Sequence, residues 1–183
     1  MQLNSVGKET EKILRFNKQD IAEFRFGINW IQGYKFTIGR EYQIFVKDWM
    51  DRVIKINFRS LYGYKRKELH QLYGKIIGAI WDNHLTEITS VFLQQILDGE
   101  AVEICGVRIT KKEITIEPRK ILNKKKITIP WEFLGTKNYE TYYALFSTEN
   151  PSELNCTYNY LDDWNAGILF SVIETFKRLY STV

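Results

Sequence analysis

Two hydrophobic periods alternate along this chain. From Glu23 onward the period is two. Phe24, Phe26, Ile28 and Trp30 share one parity, with Glu23, Arg25 and Asn29 on the other. Successive side chains of a strand point to opposite faces, so this pattern predicts a half-buried strand. Gln32-Gly33 predicts a turn, after which Phe36 and Ile38, then Tyr42, Ile44 and Val46, carry the alternation past Gly39-Arg40. Asp48 to Asp51 breaks it, and Ile54, Ile56 and Phe58 form a further strand with Lys55, Asn57 and Arg59 opposite. At Lys65 the period changes to three and four. Leu69, Leu72, Tyr73, Ile76, Ile77, Ile80 and Trp81 make one amphipathic stripe, which Leu85, Ile88, Val91, Phe92 and Ile96 continue. Asp82-Asn83-His84 is the expected point of interruption. Asp98-Gly99 is the expected stop, because glycine takes the left-handed conformation that ends helices. Unbroken, this helix spans about 50 Å, so a bend or a protruding end is expected.

The order then recurs. Val102, Ile104 and Val107, then Ile114 and Ile116 before Pro118, then Ile127, Ile129 and Trp131 read as strands. Tyr143, Leu145 and Ser147 alternate with Tyr142, Ala144 and Phe146, so both faces are apolar and a central strand is expected. Leu154, Cys156, Tyr158 and Tyr160 follow. Asp162 and Asp163 read as N-caps for a closing helix that carries Ile168, Leu169, Val172, Ile173, Phe176 and Leu179. The fold class is therefore α+β: two antiparallel sheet-plus-helix units, residues 1–99 and 100–183. The halves match without a gap at an offset of 100, with Ile54, Ile56 and Phe58 on Leu154, Cys156 and Tyr158, and Leu69, Leu72 and Ile76 on Leu169, Val172 and Phe176. Such a match predicts an internal duplication. It also places Leu14 and Phe16 on Ile114 and Ile116, which predicts a strand near Lys12 to Phe16.

Three stretches of the second half, Val102-Glu103-Ile104-Cys105-Gly106-Val107, Ile127-Thr128-Ile129-Pro130-Trp131 and Asp163-Trp164-Asn165, carry a resemblance. With the strands-then-helix order around them, the segment from Ala101 to Tyr180 resembles bacterial pleckstrin-homology-like domains. The first half looks like a diverged second copy. The resemblance implies a bent, partly open barrel plugged at one end by its last helix. It also implies a binding platform for lipid head groups, peptides or proteins. In phosphoinositide-binding members, basic residues flank the first hairpin. Here only Arg108, Lys111 and Lys112 fall near that place.

Composition narrows the function classes. The chain has 183 residues, 44% hydrophobic and 15% aromatic, so even small units can bury a sizeable core. The first residues show no basic segment followed by an apolar run, and no window nears the roughly 18 apolar residues of a spanning helix. Two cysteines, Cys105 and Cys156, are too few for a disulfide framework or a structural zinc. Both lie in strand-like stretches and read as reduced, buried fillers. A cytoplasmic location follows. Residues 101–137 hold nine Lys/Arg against four Asp/Glu, whereas residues 138–183 hold two against six. Such an asymmetry can steer a partner.

No Gly-x-Ser-x-Gly elbow, phosphate-binding Gly-rich loop or Cys–His pair is present, so no catalytic residue, metal ligand or cofactor is indicated. His70 and His84 read as packed or exposed imidazoles. The densest basic run is Arg119, Lys120, Lys124, Lys125 and Lys126. With Arg108, Lys111 and Lys112, it is the candidate anion site, for acidic membrane lipid or, with less support, nucleic acid. A second basic cluster, Arg59, Lys65, Arg66 and Lys67 around Tyr62 and Tyr64, falls at a helix start, where positive charge opposes the dipole. The turn residues Trp49 and Met50, and Val91, Phe92 and Leu93 on the long helix, are the candidate interface for another protein or a second copy of the chain. The leading expectation is a non-enzymatic protein-interaction or assembly module. The alternatives are an anion-binding module and an enzyme whose site has no recognisable motif.

Overall fold

A computed structural model describes residues 15–117, 126–152 and 154–180, and for Tyr180 the backbone alone. It is α+β, with every strand pairing antiparallel. Strands β1 (Ile21–Gln32), β2 (Thr37–Asp48) and β3 (Val53–Leu61) form a meander. Helices α1 (Arg66–Ile80) and α2 (Thr86–Leu97) follow it. Strands β4 (Val102–Ile104), β5 (Val107–Ile109), β6 (Glu113–Ile116) and β7 (Ile127–Pro130) form a four-stranded sheet. Strands β8 (Leu134–Asn138), β9 (Tyr142–Ser147) and β10 (Asn155–Asn159) form a second three-stranded sheet with β9 at its centre. Helix α3 (Ala166–Tyr180) closes the order. No sheet of the described residues closes into a barrel.

The first meander explains itself by register. Val46 lies between Phe24 and Ile54, Ile44 between Phe26 and Ile56, and Tyr42 between Ile28 and Phe58. These rows make one apolar face, and α1 covers it. The Tyr73 ring sits 5.3 Å from the fully buried Tyr42 ring. The other face carries Glu41, Gln43, Phe45 and Lys47. Helix α3 packs against α2 and β4, and the buried side chains of both halves form one continuous core. Each fully buried Ile or Leu in it contributes about 1.5–3 kcal/mol over the exposed state.

The halves meet along the outer edge of β1. Phe26 N donates to the Tyr160 carbonyl at 2.9 Å, and Phe24 N to Asn165 Oδ1 at 3.0 Å. Asn165 N returns a bond to the Phe24 carbonyl at 2.8 Å. The strand edge that would otherwise be open is thus satisfied by the turn before α3. Gly27 permits the approach, since a Cβ there would lie 2.7 Å from the Leu161 Cβ.

Several expectations are corrected. Of the strand expected near Lys12 to Phe16, residues 12–14 lie outside the described set. Arg15 and Phe16 are not in a strand, and Phe16 packs against the core. Phe36 is not a strand residue but the 63% exposed tip of the first hairpin. The long helix is interrupted where expected, by a π segment at Trp81–Leu85 that changes its hydrogen-bond period. Asp162 and Asp163 do not cap α3. The helix starts after Asn165, whose φ of 62° is left-handed, and Asp163 instead accepts a bond from Asn159 N at 2.8 Å. Cys105 is not a buried strand residue. It occupies the β4–β5 turn at φ 56°, half-buried, with its Sγ 2.7 Å from the Trp164 carbonyl oxygen. Trp131 follows β7 in a short 3-10 turn, where its indole N–H reaches the Thr110 carbonyl at 2.9 Å.

Candidate functional site

The β2–β3 turn is built around Asp48. Its side chain is buried, and Oδ1 accepts from Met50 N and Arg52 N at 3.0 and 2.8 Å while Oδ2 takes the Arg52 guanidinium at 2.6 Å. These bonds hold the Asp48 carboxyl below the usual carboxylate range, against the opposing effect of its burial. The turn therefore holds its next two residues outward. Trp49 and Met50 are 75% and 76% exposed. The Trp49 indole N–H is nonetheless committed, donating to the Gln19 carbonyl at 3.2 Å, so the ring is fixed with its face in solvent.

Beneath that ring runs a groove of about 400 Å³ between the short turn Lys18–Asp20, the start of β1, and α2. Trp49, Ile88, Val91 and Phe92 line it, and Lys18 and Glu87 form an ion pair at its rim. His84 also lines it. The ring is 93% buried by its 7% exposure, and its Nε2 has no hydrogen-bond partner among the described residues. Burial chiefly, and then the Lys18 ammonium, push the imidazole below its ordinary value. The Ile21 backbone and Glu87 pull the other way. The ring is therefore neutral at neutral pH and presents a desolvated acceptor. It stands on the π segment of the long helix, a geometry that recurs at functional sites.

The sequence candidates separate as follows. Trp49, Val91 and Phe92 come together in this groove, and Met50 stands exposed on the same turn. Leu93 does not join them; it packs against the core. Of the densest basic run, Arg119, Lys120, Lys124 and Lys125 lie outside the described residues, while Lys126 pairs with Glu117 at 2.9 Å. Arg108 sits on β5 opposite Thr115, and Lys111 and Lys112 are exposed in the following turn. The sequence marks His84 only as a packed or exposed imidazole. Its one sequence signal was its place at the expected interruption of the helix.

The opposite end of the first meander holds another constellation. Tyr34 (96% exposed) and Phe36 tip the β1–β2 hairpin, Leu61 ends β3, and Tyr62 (80%) and Tyr64 (70%) lie in the β3–α1 turn. Tyr62 N donates to the Ile38 carbonyl at 2.8 Å, which ties the two loops together. Tyr62, Gly63 and Lys65 all have left-handed φ, and each non-glycine residue so held costs on the order of 1 kcal/mol. Arg59 of the expected basic cluster is taken by Glu41, 2.7 Å away. Glu41 is itself buried, and hydrogen bonds from Asn57, then Arg59 and Gln43, hold its carboxyl down against desolvation.

Among the described residues, no group of three or more His, Cys, Asp or Glu is arranged to hold a metal ion. No described helix is long and apolar enough to cross a membrane. No family model, curated protein or solved structure matches this chain.

Proposed function

We propose that this chain is a non-enzymatic protein-binding module whose partner inserts an apolar side chain, with a hydrogen-bond donor beside it, into the groove under Trp49. The observation that carries this reading is the acceptor His84 Nε2, buried without a partner in the wall of an apolar groove. An unmet buried acceptor costs about 1–3 kcal/mol, which a donor from a partner recovers. Trp49 is the anchor: a large ring, already immobilised by its bond to Gln19, that loses little freedom on contact. The charges at the rim are already paired, so affinity comes from apolar contact and is insensitive to salt. The four-strand, three-strand, helix order of residues 102–180 supports a pleckstrin-homology-like scaffold behind this surface.

The test is selection of displayed peptides on the full chain. The expected winners share an aromatic residue that bears an N–H or O–H. Their affinity falls at least tenfold with Trp49→Ala and with Val91→Glu, and changes little with salt. Peptides that bind both variants as well as the parent, or the absence of any enriched peptide, would remove this reading.

A further inference from the structure

The hairpin tip and the β3–α1 turn form a surface unlike any other among the described residues. Four aromatic rings, Tyr34, Phe36, Tyr62 and Tyr64, stand exposed at one end of the sheet beside the half-exposed Leu61. Five cations surround them: Lys35, Arg40, Lys65, Arg66 and Lys67. None of the five belongs to an ion pair among the described residues. Three of them lie over aromatic rings instead. The Arg40 guanidinium is 4.0 Å from the Trp30 ring centroid, and the Lys35 and Lys65 ammonium groups are 5.6 and 5.3 Å from Tyr34 and Tyr64. Arg66 and Lys67 begin α1, where the dipole repels them, and Lys65 before them offers no side-chain cap. The local field is therefore positive from two sources, the side chains and the N-terminus of α1, with Glu68 of the first turn offsetting part of it.

We infer that this end of the sheet binds the surface of an anionic lipid bilayer. The cations supply the attraction to acidic head groups. Tyr rings partition to the head-group boundary, and Phe36 and Leu61 reach just below it. The loops project from the sheet end, and Gly39 holds them together: a Cβ there would fall 2.2 Å from the Ser60 carbonyl oxygen. Exposed rings at the ends of two adjoining loops suit a planar surface. Single-stranded nucleic acid instead tracks a groove whose floor supplies stacking platforms, so the nucleic-acid reading becomes the competing outcome of the test. The groove under Trp49 lies at the other end of the same sheet, so both surfaces can be occupied at once.

The experiment is co-sedimentation of the full chain with vesicles of phosphatidylcholine alone and of phosphatidylcholine carrying phosphatidylglycerol, with a single-stranded oligonucleotide as competitor. Binding is expected to the anionic vesicles only. It is expected to disappear as salt shortens the Debye length from about 10 Å towards about 3 Å. At about fivefold per lost cation, with the added carboxylates repelled besides, the triple variant Lys65→Glu, Arg66→Glu, Lys67→Glu loses at least about 100-fold in partitioning. Tyr34→Ala with Phe36→Ala loses several-fold while keeping the salt dependence, and serves as the second probe should the triple variant fold poorly. Four results would overturn the inference: equal binding to neutral vesicles, no binding at low salt, full binding by both variants, or displacement from vesicles by the oligonucleotide with tighter binding to it.

Discussion

The two ends of the first meander are built from the same residue types and differ in how their charges are met. At the turn end, Arg52 is bonded to Asp48, Lys47 to Glu23 and Asp51, and Lys18 to Glu87. At the tip end, roughly 35–40 Å away along the strands, Lys35, Arg40 and Lys65 have rings beside them, and none of these or of Arg66 and Lys67 has an ion-pair partner among the described residues. Exposed aromatics occur at both. A charge whose partner is already in the chain adds little to recognition, which leaves Trp49 and the groove as the feature to be read. A cation without a partner acts at a distance until salt screens it. The same exposed ring is thus an anchor for a protein at one end and a companion to electrostatic attraction at the other.

The largest expected effect separates the ends by occupant. Trp49→Ala costs about 2–4 kcal/mol of affinity for a groove-binding peptide, as hot-spot truncations do, and leaves vesicle partitioning unchanged. Equal loss in both assays would mean that the ends are not independent. A second substitution disturbs both ends together. Gly27→Val forces a branched side chain against the Leu161 Cβ and pushes the docked edge of β1 from the turn before α3. Denaturant unfolding is expected to show a loss of about 1–3 kcal/mol, with both binding activities reduced in proportion to the unfolded fraction.

The elements of both ends were legible in the sequence; their meeting was not. Alternation in Phe24 to Trp30 and in Tyr42 to Val46 locates β1 and β2, and the change of period at Lys65 locates α1, because one face of each element is buried. Trp49 was legible as exposed because acidic residues bracket it in a turn. Val91 and Phe92 were legible as the outer part of the long helix's apolar stripe, which a protruding end leaves uncovered. What no local pattern reveals is that the start of β1 brings Lys18 and Ile21 to the same place, or that His84 ends beneath them, since that depends on pairing across dozens of residues. Phe36 misled because alternation continues through a hairpin tip whose strand has already ended. Asp163 misled because a capping residue and a turn residue share one chemistry, and the left-handed Asn165 decides between them. Tyr62 and Tyr64 were visible beside Lys65 to Lys67. Tyr34 and Lys35 join them only once β1, β2 and β3 are in register.

Stability offers a third comparison, with opposite signs at the two ends. Arg66→Glu with Lys67→Glu replaces cations at the positive end of the α1 dipole by carboxylates that suit it. The fold is expected to gain about 1 kcal/mol, a Tm rise of roughly 2–4 °C, while anionic vesicle binding falls. Asp48→Asn at the turn end is expected to lower Tm, because Arg52 loses its charge partner. If the helix-start variant is instead destabilised, those cations are structural and the contrast fails.

The smallest effect is the most local, and it concerns pH. His84 has its pKa lowered in the folded chain, principally by burial. As pH falls through about 6.5, the unfolded chain takes up the proton first, so its free energy drops relative to the folded state. The contribution of the neutral ring is therefore fully present above the ordinary imidazole value and is lost as pH falls towards the lowered one. Glu41, Asp48 and Glu87 are also held down, but as carboxylates they give up their share only at more acid pH, below about 4.5. Lys18 and Glu87 are the charged groups that act on His84. Chemical unfolding is thus expected to show a stability loss between about pH 7.5 and about pH 5.5 that His84→Gln removes. A donor bonded to Nε2 holds the ring neutral more firmly, so peptide affinity falls in the parent, and not in the variant, as pH drops further through the folded chain's own lowered value. A parent whose stability is flat there, or a variant that keeps the slope, would show that the imidazole is not the desolvated acceptor on which the groove's recognition chemistry depends.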